Sequence, residues 1–244
     1  MYCDIPTSRL LLRPVQTNEE GSIDLERFHT LWSNEQATKW RSVHHLASNS
    51  YLLAFSLTFP GSKRGPCRTL AESKAWMANI VPMPMPTNNL CVSYFVLYAE
   101  GDGGFVHPVN VDEKDWKMAG IVTLLPTDCK LADESLTYAR GAEGDPYKVL
   151  ELGFLFMPEV WGNGFATESV RAVIHVYRRD VQPTNALFPR EILALVHEKN
   201  AGSRRVLQKA GFNEVHQSEA IEWLPLVDDS KTQKHTVVHF RMAD

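Results

Sequence analysis

The chain has 244 residues, 44% of them hydrophobic and 22% charged, with a formal net charge of −4. That length fits one large domain with the balance of a globular protein, and it lacks the basic surplus of a nucleic-acid binder. Its longest apolar run, Leu90 to Ala99, is too short to span a bilayer, and Cys3, Cys67, Cys91 and Cys129 form no C-x-x-C pair for zinc or redox chemistry.

Met1 to Pro6 shows no charged-then-apolar leader pattern, and no N-x-[ST] sequon occurs. A reducing, cytoplasmic setting is the expectation, with no membrane partner. Arg9 to Arg13 is a short apolar run that predicts a first strand, stopped by Pro14. Leu25, Phe28, Leu31 and Trp32 give helical spacing over Asp24 to Asn34. Glu35 to Pro66 is less patterned and reads as helical in part. Thr69 and Glu72 form a capping box for a helix over Leu70 to Ile80, which Pro82, Pro84 and Pro86 terminate.

Leu90 to Ala99, rich in Val, Tyr and Phe, predicts a long strand. Gly101 to Asp115 reads as a loop, Trp116 to Leu125 as a strand ended by Pro126, and Thr127 to Tyr147 as a polar loop. Val149 to Phe156 predicts a strand with Leu150, Leu152, Phe154 and Phe156 on one side. Val170, Val173, Ile174 and Tyr177 predict an amphipathic helix over Thr167 to Arg179. A proline-bearing loop leads to a buried strand at Ile192 to Val196. Asn200 then caps a helix to Ala210, with Gly211 at its stop. Phe212 to His216 and Lys234 to Met242 read as closing strands. No repeat or linker interrupts the pattern, which points to one α/β domain over residues 1–244.

The most informative stretch is Pro158 to Glu168. A strand, a turn carrying Gly162 and Gly164, and a helix start form an anion site. Glycine lets main chain approach a ligand, and free helical N–H groups point at it. Gly162 and Gly164 lack the third glycine of a dinucleotide fingerprint, since Thr167 stands there. His197-Glu198 lacks the second histidine of H-E-x-x-H, and His235 and His239 fall in an apparent strand, so neither predicts a zinc site. His44 and His45 read as surface residues.

Strand, glycine turn, helix, strand, Asn-capped helix, Gly-Phe and strand resemble the GCN5-related N-acetyltransferase (GNAT) superfamily. Its pyrophosphate motif, [Q/R]-x-x-G-x-[G/A], is matched by Trp161-Gly162-Asn163-Gly164-Phe165-Ala166. Trp161 departs from the first position. It resembles the W-G-x-G-[YF]-A-T-E of the RimJ/RimL-like branch, which Thr167 and Glu168 continue. Asn200, Ser203, Leu207, Lys209, Gly211 and Phe212 carry the downstream part. The resemblance is strongest from Leu150 to Phe212 and extends weakly to Arg9 to Pro14.

The resemblance implies a GNAT-like fold, a mixed, mostly antiparallel central sheet flanked by helices. It implies acetyl-CoA as co-substrate, with the pyrophosphate on Trp161, Gly162, Asn163, Gly164, Phe165, Ala166 and Thr167. Pantetheine would lie along Val149 to Phe156, where that strand splays from its neighbour, with Asn200 on its flank and Ser203 near the thioester sulfur. Acceptors would be primary amines, of a small molecule or a peptide N-terminus, acetylated by direct transfer in a ternary complex.

A lysine-type amine, with a pKa of about 10.4, needs a base more than an α-amine at about 8. Glu151 points away from the Leu150 side and is the candidate base, through a water; its alternative is a carboxylate paired with an arginine or capping backbone. A backbone N–H near Phe156 or Met157 is the expected oxyanion donor. Many superfamily members carry a tyrosine acid where Leu207 stands, leaving Ser203 as a hydrogen-bonding substitute. The alternative function is a non-catalytic acyl-CoA-binding or sensing module. Acceptor specificity is expected from Asn34 to Tyr51, with Trp40 and Arg41 at the lip, and from the loops Gly101 to Asp115 and Thr127 to Tyr147. The sequence carries no mark of an oligomeric state.

Overall fold

The computed structural model describes residues 3–40, 66–78, 80–81, 92–127, 149–182, 191–222 and 233–243. Outside them lie Arg41, His44, His45, the stop at Pro82, Pro84 and Pro86, Cys91, and all but the first residue of the expected loop Thr127 to Tyr147, with Cys129.

One sheet organises the chain. Its strands are β1 (Ile5–Pro6), β2 (Leu11–Pro14), β3 (Val92–Gly101), β4 (Gly104–Val106), β5 (Lys117–Thr127), β6 (Val149–Phe156), β7 (Glu191–His197), β8 (Phe212–Glu222) and β9 (Gln233–Met242). They run in the order β1-β2-β3-β5-β6-β7-β9-β8, with β4 paired to β3. Among the described pairings only β6 with β7 is parallel. A parallel neighbour needs a crossover. Helix α4 (Phe165–Val176) provides it.

Helices α1 (Ile23–Ser33), α2 (Glu35–Thr38) and α3 (Leu70–Met77) lie between β2 and β3 in the chain, and α5 (Ala201–Ala210) follows β7. Ser22 caps α1, Asn34 caps α2, Thr69 and Glu72 form the expected capping box on α3, and Asn200 caps α5. Val170, Val173 and Ile174 of α4 and Tyr177 just beyond it are buried, as are Leu150, Leu152 and Phe156 of β6, in one core. The expected fold class stands: mixed α/β with a mostly antiparallel open sheet.

Several boundaries differ. Gly101 to Asp115 is not only loop. Gly104 to Val106 turns back onto β3, and 3₁₀ turns follow at Pro108–Asn110 and Glu113–Asp115. Pro126 does not end β5, which continues to Thr127. Met157 N–H donates to Ala119 O at 2.8 Å, so odd-numbered residues of β6 bond β5 and Pro126 sits in a non-hydrogen-bonded pair with Leu150. Its missing N–H costs that ladder nothing, and the register with β3 already ends at Leu124. Helix α4 starts at Phe165, not Thr167, because Gly164 takes the left-handed cap position. It passes into a wider π turn at Tyr177–Val181. Strand β8 extends past His216 to Glu222, held by β9 along its length.

Candidate active site

The parallel pair of β6 and β7 is short. Its register covers Val149 with Glu191, Leu150 with Ile192 and Glu151 with Leu193, and then stops. Both strands continue, β6 to Phe156 and β7 to His197. They therefore open into a V whose vertex is Glu151 opposite Leu193. Because odd residues of β6 bond β5, the main-chain groups of Phe154 and Phe156 face the opening. One is used: Trp161 Nε1 donates to Phe156 O at 2.9 Å. The Met157 N–H is taken by Ala119 O and so turns away from the opening, whereas the Phe156 N–H faces it. Gly120 allows the close approach that sets this edge. A Cβ there would lie 2.2 Å from Leu155 O and 2.9 Å from Phe156 Cα.

The open end of β6 leads through a 3₁₀ turn at Pro158–Val160 into the glycine turn. Gly162 and Gly164 have φ of +84° and +82°. These left-handed values favour glycine. Gly164 is the N-cap of α4 and brings no side chain to it. The first helical bond runs from Glu168 N–H to Gly164 O, so the Phe165, Ala166 and Thr167 amides precede the ladder. The positive helix end and these amides form a cradle for an anion. Asn163 turns its own amide to Val160 O at 3.4 Å and its Nδ2 to the same oxygen at 3.1 Å, so it shapes the turn from within. The residues present fit a pyrophosphate.

Arg9 and Glu168 clamp this turn from outside. Glu168 accepts from Thr7 Oγ1 at 2.6 Å, Ser8 Oγ at 2.9 Å, the Arg9 amide at 3.1 Å and Arg9 Nη2 at 2.7 Å. Arg9 Nη1 also reaches Asn163 O at 3.0 Å, and its guanidinium lies 4.9 Å from the Phe165 ring centroid. Burial alone would raise the Glu168 carboxyl; the hydrogen bonds from Thr7, Arg9 and Ser8 outweigh it and hold the group below the usual carboxylate range. Sequence reasoning placed Arg9 and Glu168 only as motif positions. Their contact crosses 159 residues, and local pattern carries no such signal.

The two faces of the sheet differ at the V. Even residues, Leu150, Leu152, Ala194, Val196, Val238 and Phe240, enter the core, together with Leu207 and Ala210 of α5. Paired residues share a face, so Glu151, Leu193 and His197 lie on the other one, with Val237 and His235 of β9 beside them. Trp40 follows α2 on this side. Its ring centroid is 5.0 Å from that of His197. Lys39 Nζ stands 5.8 Å from the Trp40 ring centroid and 5.4 Å from that of Trp161. A continuous row thus runs from the glycine turn, through Trp161, Lys39 and Trp40, to His197 and His235. Trp161 is 46% exposed and packs on this rim rather than in the core.

Glu151 is half-buried at the vertex on that same face. Asn200 spends Oδ1 on the Ser203 amide at 3.1 Å, which leaves Nδ2 as its outward donor, and its own N–H bonds His197 O at 2.9 Å. Ser203 is half-buried one turn into α5. Leu207 is 0% exposed and offers no acid. Among the described residues no group of three His, Cys, Asp or Glu side chains could hold a metal ion, and His235 and His239 indeed lie in a strand. No described helix is long and apolar enough to cross a membrane.

The family model described as an acetyltransferase (GNAT) domain matches residues 9–213. No curated protein matches the sequence. Solved structures do match the fold. The spermidine N-acetyltransferase from Vibrio cholerae, in complex with CoA and spermine, is similar with a TM-score of 0.55 and 14% identity, over 97% of this chain and 96% of that one. An acetyltransferase of the GNAT family from Bacillus anthracis gives 0.54 and 13%, over 98% of each chain. The ribosomal L7/L12 alpha-N-protein acetyltransferase RimL gives 0.53 and 16%, over 100% of this chain and 96% of that one. With the matched family model spanning both the clamp at Arg9 and the capped helix at Asn200, the chain belongs to the GNAT acetyltransferase family.

Proposed function

We propose that this protein is an acetyl-CoA-dependent N-acetyltransferase of the RimJ/RimL-like branch, a single domain acting on a primary amine by direct transfer in a ternary complex. One observation carries the reading: the β6–β7 pair opens immediately below an uncapped helix start reached through two left-handed glycines. Cys3 and Cys67 are free thiols, which supports a cytoplasmic setting.

Acetyl-CoA, as co-substrate, supplies an activated acetyl group. The amides of Gly162, Gly164, Phe165, Ala166 and Thr167 hold its pyrophosphate, Trp161 and Asn163 shape that turn, and Met157 leads the chain into it. The edge of β6 at Phe154 and Phe156 receives the pantetheine as an added strand, and Asn200 Nδ2 binds it from α5. The Phe154 N–H, on the same open edge and nearer the vertex, faces the oxygen on which charge develops. Glu151, on the acceptor face at the vertex, takes the amine proton through a water. Ser203 Oγ donates to the departing sulfur, a modest aid for a thiol whose pKa of about 8.5 already makes it a tolerable leaving group.

Calorimetry with acetyl-CoA, followed by CoA release in the presence of small-molecule amines and peptides, tests the assignment. Tight binding with turnover of at least one amine is the expected result. Binding with no turnover on any amine favours a non-catalytic acyl-CoA sensor, for which Leu207 in place of an acid is the supporting feature.

A further inference from the structure

The cradle at the glycine turn is built from main chain, and the arginine beside it is already committed. Arg9 gives Nε and Nη2 to Glu168 and Nη1 to Asn163 O. Lys39, at the C-cap of α2, is in a different position. It is half-buried, and its Nζ lies 5.4 Å from the Trp161 ring centroid and 5.8 Å from that of Trp40. Among the described residues it makes no hydrogen bond and no ion pair. A compact, strongly hydrated ammonium gains little from two indoles and much more from a charge-assisted hydrogen bond to an anion.

Trp161 links that ammonium to the cradle. Its Nε1 donates to Phe156 O at 2.9 Å, on the open edge of β6, and Gly162 follows it in the chain. Lys39 Nζ therefore stands at the mouth of the V, on a flexible side chain. The α4 amides facing that mouth carry only partial charges, whereas a pyrophosphate carries full ones. Resting on the transferase reading above, we propose that Lys39 is a cofactor-binding residue. Its ammonium leaves the Trp161 indole for an oxygen of the coenzyme A pyrophosphate and supplies the full positive charge that the cradle lacks. The charge comes from α2 and not from the glycine turn. Trp40, the next residue, packs on His197 with 5.0 Å between ring centroids, so the same two residues join the cofactor turn to the acceptor face.

The test is calorimetric titration of the full-length protein with acetyl-CoA, for wild type, K39M and K39R. K39M keeps an apolar stem against the indoles and loses the charge; K39R keeps the charge. K39M should raise the acetyl-CoA Kd about tenfold, the scale of one charge-assisted hydrogen bond, and K39R should stay within about threefold of wild type. Between about 0.05 and 0.3 M NaCl the wild-type Kd should also rise more steeply than that of K39M, which lacks one of the screened contacts. The loss in K39M should persist with acetyl-dephospho-CoA, which keeps the pyrophosphate and lacks the ribose phosphate. Disappearance of the loss with that ligand assigns Lys39 to the ribose phosphate and overturns the inference. A K39M Kd equal to wild type, or an equal loss in K39R, overturns it too. In each of these cases acetyl-CoA still binds wild type and the transferase reading stands; a wild type that binds no acetyl-CoA overturns both. Should K39M fail to fold, labelling of wild-type Lys39 by an amine-reactive ester decides. Protection by acetyl-CoA and acetyl-dephospho-CoA but not by S-acetyl-pantetheine is expected, and unchanged labelling overturns the inference.

Discussion

Arg9 and Glu168 form the joint on which the glycine turn is hung. Arg9 Nε and Nη2 lie 3.0 and 2.7 Å from Glu168 Oε2, while Nη1 holds Asn163 O at 3.0 Å. One guanidinium thus fixes both the first turn of α4 and the peptide between the two glycines. The joint also ties the β1–β2 turn to the crossover helix through Thr7 and Ser8.

Glu168→Ala should therefore destabilise the chain and loosen the turn together. It removes the acceptor of the Ser8 hydroxyl and the Arg9 amide and the shorter of the two hydrogen bonds of Thr7 Oγ1. A cost of about 2 kcal/mol is expected, or roughly 4–8 °C in Tm for a chain of this size. Scanning calorimetry with and without acetyl-CoA checks it. A variant as stable as wild type and binding as tightly would sink the role given to this joint.

The same joint predicts a pH dependence. The folded-state pKa of Glu168 is depressed, so its contribution is complete above the ordinary carboxylate value of about 4.3 and is lost as pH falls from there through the folded-state value. The Tm difference between wild type and Glu168→Gln should be constant near neutrality and shrink below about pH 4.5. A difference that instead shrinks above neutral pH would contradict the assignment.

Gly164→Trp should abolish measurable acetyl-CoA binding without unfolding the chain. The left-handed φ of +82° costs a non-glycine residue about 1–2 kcal/mol, and the indole fills the space in front of the α4 amides. Gly162→Ala bears a similar backbone strain, but its Cβ meets nothing within 4 Å. It should bind acetyl-CoA more tightly than Gly164→Trp does. Calorimetric titration of the two variants reads the contrast.

Gly120→Ala tests the edge of β6 from behind. Its Cβ cannot stay 2.2 Å from Leu155 O, so β5 and β6 must separate beside Phe156. A destabilisation of about 1–3 kcal/mol is expected. Weaker acetyl-CoA binding should accompany it, because the displaced strand carries the Phe156 N–H. Chemical denaturation and titration measure the two effects separately.

With Glu151 as the proposed base, Glu151→Gln should lower kcat by about 10²-fold and leave the acetyl-CoA Kd unchanged, since the side chain lies on the sheet face opposite the core. The loss should diminish as pH rises toward the amine's own pKa, where the acceptor deprotonates unaided. A pH–rate profile on the preferred amine decides. An equal loss at every pH would assign Glu151 a structural task.

Much of the fold was legible in the sequence because it is written in local patterns. The β6 alternation, the α4 stripe at Val170, Val173, Ile174 and Tyr177, and the caps at Thr69 and Asn200 each depend on residues a few positions apart. The glycine turn was legible for the same reason. Errors gathered where a neighbour overrides local preference. Pro126 stays in β5 because its ladder position asks no donor of it, and Gly104 to Val106 becomes a strand because β3 is there to pair with.

The amino-acid order by itself determined the strand, glycine turn and helix that make an anion cradle, since chain stereochemistry and side-chain period act over one or two turns. Only the tertiary structure decided the rest. It opened β7 away from β6 at Glu151, closed Arg9 onto Glu168, and set His197 against His235. Those contacts join residues 38 to 159 positions apart, and their hydrogen-bond directions exist only once the strands and helices are packed together.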